Sequence, residues 1–66
     1  MKIRLNGSQR EVADTITVSE LLAMLSLRSE HVAVEVNREV VPRGKHSERA
    51  LAEGDSVEVV TLVGGG

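Results

Sequence analysis

Apolar and polar residues alternate with a period of two at both ends of the chain and in its middle, and one stretch repeats apolar residues at helical spacing. In Lys2-Ile3-Arg4-Leu5 the alternation puts Ile3 and Leu5 on one face of an extended strand. Asn6-Gly7 follows, the residue pair that most readily supplies the two positive φ angles of a tight hairpin. The return strand is expected to carry Val12 and to run as far as Ile16, although the polar Gln9-Arg10-Glu11 leaves its length open.

Thr17-Val18-Ser19-Glu20 has the form of a capping box, with a hydroxyl at the cap and a carboxylate three residues on. A helix is expected from there, with Val18, Leu21, Leu22 and Leu25 as its sheet-facing stripe, Met24 flanking that stripe, and Glu20 and Arg28 in water. After the polar break Arg28-Ser29-Glu30, the run Val32-Ala33-Val34-Glu35-Val36 predicts a strand with Val32, Val34 and Val36 on one face. Asn37-Arg38-Glu39 turns the chain into a short strand, Val40-Val41, which Pro42 ends because it has no N–H to donate. Residues 43–50 lack a period and are expected to form a loop with one helical turn near Ser47. Glu53-Gly54-Asp55 is a turn, and residues 56–62 form a last strand.

The order strand, strand, helix, strand, short strand, strand points to an α+β protein of the ubiquitin-like β-grasp class: a mixed sheet of about five strands with one main helix packed on one face. By analogy with that fold the first and last strands lie side by side at its centre. Residues 1–63 are expected to form the domain, and residues 64–66 a flexible glycine tail.

Composition narrows what such a domain does. Sixty-six residues hold one domain with one modest core. There is no cysteine and His31 and His46 are the only histidines, so neither disulfides nor a zinc cluster is expected to staple it. The hydrophobic fraction of 41% is enough for a core, and all of it is aliphatic. The absence of aromatic residues removes stacking platforms for single-stranded nucleic acid, and the net charge of -2 gives no general attraction to phosphate backbones or anionic lipid. No nucleic-acid or membrane partner is expected. With no apolar run of membrane-spanning length and no secretory signal, a cytoplasmic location is the expectation.

Catalytic equipment is sparse. There is no thiol, no paired-ligand spacing and no phosphate-binding loop motif. His46-Ser47 are adjacent, which does not make a dyad, and both are expected to be solvated loop residues; His31 is expected at the surface or half-buried. The chain is therefore not expected to be an enzyme, and no cofactor is expected to bind it directly.

The C-terminus carries more. A free α-carboxylate titrates at about 3.5 and is an ionised nucleophile at neutral pH. Attack on the α-phosphate of ATP would turn the Gly66 carboxylate into an acyl-adenylate, provided a partner enzyme binds ATP and magnesium and shields the mixed anhydride from water. Gly64 and Gly65 suit the approach to such a site, because glycine is the thinnest residue and three extended residues reach roughly 10 Å. Taken alone, a terminal glycine run also fits a fraying end without function.

Several blocks together resemble the ThiS sulfur carrier proteins of thiamine biosynthesis, relatives of the molybdopterin-synthase small subunit and of ubiquitin. They are Asn6-Gly7 after the first strand, Thr17-Val18-Ser19-Glu20-Leu21-Leu22 at the helix start, VEVNREVVPR (34–43) and LAEGDSVEVVTLVGGG (51–66). The resemblance implies that Gly66 is adenylated by a ThiF-like enzyme using ATP and magnesium. It is then converted to a thiocarboxylate with sulfur from a donor such as a cysteine desulfurase relay. The ThiG thiazole synthase would accept that sulfur for the thiazole ring. Many relatives place an aromatic residue at the position of His46, and this chain has none anywhere.

Three other readings share these features: a ubiquitin-like protein modifier, a molybdopterin-synthase-type sulfur carrier, and a non-covalent β-grasp binding module. Length and the ending Leu62-Val63-Gly64-Gly65-Gly66 favour the thiamine branch. Glu35, Asn37 and Arg43 are expected to serve turn chemistry and surface charge more than partner recognition, while the strand face near Val57, Val59 and Val60 is open to both core and docking roles.

Overall fold

Alternation in three strands and a single amphipathic helix settle the architecture of the computed structural model, which describes residues 1–62. Strands β1 (Lys2–Leu5), β2 (Ser8–Glu11), β3 (Val32–Val36), β4 (Glu39–Val40) and β5 (Ser56–Thr61) form one mixed sheet in the order β2-β1-β5-β3-β4. Helix α1 (Val18–Met24) covers one face. This is the β-grasp arrangement, with β1 and β5 parallel at the centre, Arg4 beside Ser56 and Leu5 beside Val57.

Each element has a local cause. Asn6 and Gly7 take φ of 49° and 85°, closing the β1–β2 hairpin, and Asn37 and Arg38 do the same for β3–β4 with 52° and 71°. At the start of α1 the Thr17 hydroxyl accepts from the Glu20 amide at 3.1 Å and the Glu20 carboxylate accepts from the Thr17 amide at 2.9 Å, completing the box in both directions. Gly54, at φ 85°, takes the left-handed position that turns the chain into β5.

Ile3 and Leu5, Val32, Val34 and Val36, and Val57 and Val59 present one aliphatic sheet face to Val18, Leu21 and Leu22 of α1. Burying each such side chain contributes about 1.5–3 kcal/mol. Connecting segments close the core's edges with Val12, Ile16, Val41 and Leu51. Lys2, Arg4, Ala33, Glu35, Ser56, Glu58 and Val60 alternate onto the opposite, uncovered face.

Some expectations need correction. Strand β2 is an edge strand of four exposed polar residues and stops before Val12; the Val12 amide still donates to the Met1 carbonyl at 2.8 Å, and Ile16 enters the core only after a separate turn. Met24 does not flank the buried stripe but stands 49% exposed, since the helix ends there and Leu25 closes it half-buried. The helical turn in the long loop is a 3-10 turn at Arg43–Lys45, earlier than Ser47, directly after the φ of Pro42 sets its entry. The polar break before β3 also winds into a 3-10 turn, Ser29–His31.

Candidate functional site

Strand β5 is the element on which the expected site would hang, and it is the best-held strand in the sheet. Val57 is fully buried and Val59 nearly so, and β3 pairs with β5 from Val36 opposite Val57 to Val32 opposite Thr61. The ladder runs one residue further, because the Leu62 amide donates to the His31 carbonyl at 2.8 Å. The expectations placed on Val63, Gly64, Gly65 and Gly66, including the domain boundary, lie outside the described residues.

Two turn asparagines grip β5 from opposite sides, Asn37 at its first residue and Asn6 three residues on. The Asn6 carboxamide takes both backbone groups of one residue: Oδ1 accepts from the Val59 amide at 2.8 Å and Nδ2 donates to the Val59 carbonyl at 3.1 Å. That pairing fixes which end of the amide is oxygen. Asn37 does similar work at the strand's start, where Oδ1 accepts from the Ser56 amide at 3.0 Å and its own amide donates to the Ser56 carbonyl at 2.7 Å. Its Nδ2 also donates to Asp55 Oδ1 at 3.0 Å, and Asp55 Oδ2 accepts from the Ala52 amide at 2.8 Å. Sequence reasoning saw Asn6 as a turn former and weighed Asn37 between turn chemistry and partner recognition, and in neither case a hold on β5. The available signal was that a turn asparagine beside a central strand has a carboxamide left over for it.

Around Leu62 the surface is mixed in charge. Arg43 donates to the Glu30 carbonyl at 3.5 Å, and the Glu30 carboxyl is held below its ordinary value, first by a backbone hydrogen bond and then by the positive charges of Arg28, His31 and Arg43. His31 is exposed, within its expected range. Val60 and Leu62 are 60% and 56% exposed, so of the strand residues left open between core and docking roles, Val57 and Val59 are core and Val60 is not.

His46 overturns its expectation. It is not a solvated loop residue but 2% exposed, with Nδ1 3.0 Å from the Ser29 hydroxyl and Nε2 against the Val41 carbonyl, whereas Ser47 is exposed as expected. A ring with both nitrogens engaged in structure is a poor general base, and no triad forms around it. Among the described residues no group of three or more histidine or acidic side chains could hold a metal ion, and no buried side-chain polar atom lacks a partner. A groove of about 310 Å³ beside β4 is floored by Val36, Val41 and Pro42, but its charged rim is occupied by the Lys45–Glu48 pair at 3.8 Å and collects no nucleophile. What the geometry offers chemically is a firmly held strand whose backbone pairing continues as far as Leu62, the last described residue.

A model described as the ThiS family matches residues 3–66. A thiazole synthase of Paramagnetospirillum magneticum is 41% identical over all 66 residues, although the chain spans only 20% of that relative's length. The sulfur carrier protein ThiS of Bacillus subtilis is 37% identical over 65 residues, covering 97% of this chain and 98% of the relative. The crystal structure of the thiamine biosynthesis protein ThiS from Geobacter metallireducens superposes with a TM-score of 0.86 at 36% identity, each chain covered completely.

Proposed function

Because the chain belongs to the ThiS family, we propose that it is a sulfur carrier of thiamine biosynthesis, a protein cosubstrate and not a catalyst. The observation that carries this reading is its end-to-end likeness to carriers of the same length, in sequence and in fold.

In this reading Gly66 is the working residue, with Gly64 and Gly65 as the slim lead into a partner's channel. A ThiF-like activating enzyme supplies ATP and magnesium. The Gly66 carboxylate attacks the α-phosphate, pyrophosphate leaves, and the acyl-adenylate forms. Sulfide then adds to the acyl carbon and expels AMP, leaving a thiocarboxylate directly; where the donor is a persulfide from a cysteine desulfurase relay, its outer sulfur displaces AMP to form an acyl disulfide, and a thiol reduces the S–S bond to release the thiocarboxylate and a disulfide. Such a group is ionised and polarizable and carries sulfur without releasing free sulfide. A thiazole synthase is the proposed acceptor. Support for that partner comes from the thiazole synthase relative that contains a stretch similar to this whole chain, which places a carrier-like segment and a synthase in one polypeptide.

The test is intact mass of the chain after incubation with ATP, magnesium, the activating enzyme and a sulfur donor. The expected product is heavier by the exchange of one oxygen for one sulfur. A chain that stays unmodified, or that appears on lysines of other proteins, overturns the proposal.

A further inference from the structure

Strand β1 ends at Leu5 and the chain turns away at Asn6-Gly7, yet β5 continues for several residues beyond that level. From Val60 onward, among the described residues, the chain pairs only with β3 and the residue before it: Val60 with Ala33, Thr61 with Val32 and Leu62 with His31. The Val59 N–H and C=O face the β1 side, where no β1 backbone remains to receive them. The Asn6 carboxamide fills that place, accepting at 2.8 Å and donating at 3.1 Å as the next peptide group of β1 would. It is the last hold from the β1 side before Leu62, three residues on. Asn6 does this from φ 49°, a left-handed conformation that asparagine tolerates and most residues do not.

We infer that Asn6 is a positioning residue for sulfur loading: its bracket on Val59 keeps the end of β5 from fraying and so fixes the root from which the glycine lead sets out. The inference rests on the sulfur-carrier reading above. A carboxylate carried on a short lead has an effective concentration in a partner's site that depends on how firmly the lead's root is held. Losing the bracket leaves the body free to dock but widens the volume that the carboxylate samples. The penalty therefore belongs to turnover within the bound complex, and docking is unaffected.

The experiment pairs Asn6→Gly with Thr17→Ala. Glycine keeps the positive φ and removes both side-chain hydrogen bonds; Thr17→Ala weakens the fold through the helix cap, away from β5. Amide exchange followed by NMR should show Val59 and Leu62 exchanging at least about fivefold faster in Asn6→Gly, as loss of hydrogen bonds of ordinary net strength requires. Steady-state loading by the activating enzyme should show kcat reduced roughly threefold to tenfold with KM for the carrier unchanged, while Thr17→Ala keeps both constants. Should Asn6→Gly not fold, Asn6→Asp replaces it, retaining the acceptor for the Val59 amide and losing the donor to the Val59 carbonyl, with Leu62 exchange and kcat changing in the same direction. Unaltered Leu62 exchange, an effect confined to KM, or an equal kcat loss in Thr17→Ala overturns the inference and leaves the carrier reading intact. A wild-type chain that takes up no sulfur overturns both.

Discussion

His46 donates through Nε2 to the carbonyl oxygen of Val41 at 3.1 Å, and this bond ties the long loop after β4 to the strand end that precedes it. The other ring nitrogen reaches Ser29 at 3.0 Å, so one side chain joins three segments that share no regular ladder. His46→Ala would leave the buried Val41 carbonyl without its side-chain partner and open a cavity where an imidazole had been. A loss of about 2–4 kcal/mol is expected, combining the cavity cost with the broken hydrogen bonds. Urea unfolding followed by circular dichroism checks the value; a change under about 0.5 kcal/mol, the ordinary range for a surface site, refutes the structural role.

The capping box makes a second, smaller prediction. Helix α1 has only seven residues and cannot persist without its cap and its packing. Thr17→Ala removes the acceptor for the Glu20 amide and should cost about 1 kcal/mol, seen as a lower urea midpoint with unchanged slope. Glu20→Ala removes the reciprocal bond to the Thr17 amide, which lies at the surface, and should cost less than Thr17→Ala.

Glu30 sets a pH dependence. Its carboxyl is held below the ordinary 4.5 in the folded chain, by a backbone hydrogen bond first and by Arg28, His31 and Arg43 after it. A depressed folded value means the folded state prefers the ionised form, so the contribution is present above about 4.5 and disappears as pH falls through the lower folded value. Glu30→Gln should therefore flatten the acid side of a stability profile below pH 4.5. The part owed to the arginines should shrink in high salt, because the group is at the surface. A variant whose acid profile overlays the wild type contradicts the assignment.

How much of this was legible in the chain follows from what each signal measures. Val32, Val34 and Val36 announced their strand because one buried face and one open face impose strict alternation. Thr17 and Glu20 announced the helix start because the free amides there have few other partners. Strand β2 misled because an edge strand buries nothing on either face, so its extent leaves no hydrophobic trace and Val12 seemed to belong to it. His46 was unreadable for a related reason. Its loop has no period, and its burial comes with hydrogen bonds to Ser29 and the Val41 carbonyl, groups that only the finished fold brings to the ring. Side-chain brackets such as Asn6 on Val59, 53 residues apart in sequence, are likewise tertiary facts that a turn motif does not disclose.

The terminal glycines give the last prediction, and it concerns a partner's channel, not this chain's stability. If Gly66 is the acceptor, Gly65→Leu adds a branched side chain where the lead must pass a narrow opening, and a residue appended after Gly66 moves the carboxylate by up to about 3.5 Å from the reacting phosphate. Either change should abolish sulfur loading measured by intact mass, because a displacement of this size removes the near-attack geometry on which the rate depends. Urea midpoints of both variants should equal the wild type's. Normal loading of the extended chain would place the reactive group somewhere other than Gly66, normal loading of Gly65→Leu would refute the narrow opening, and a matching loss of midpoint would trace the defect to folding.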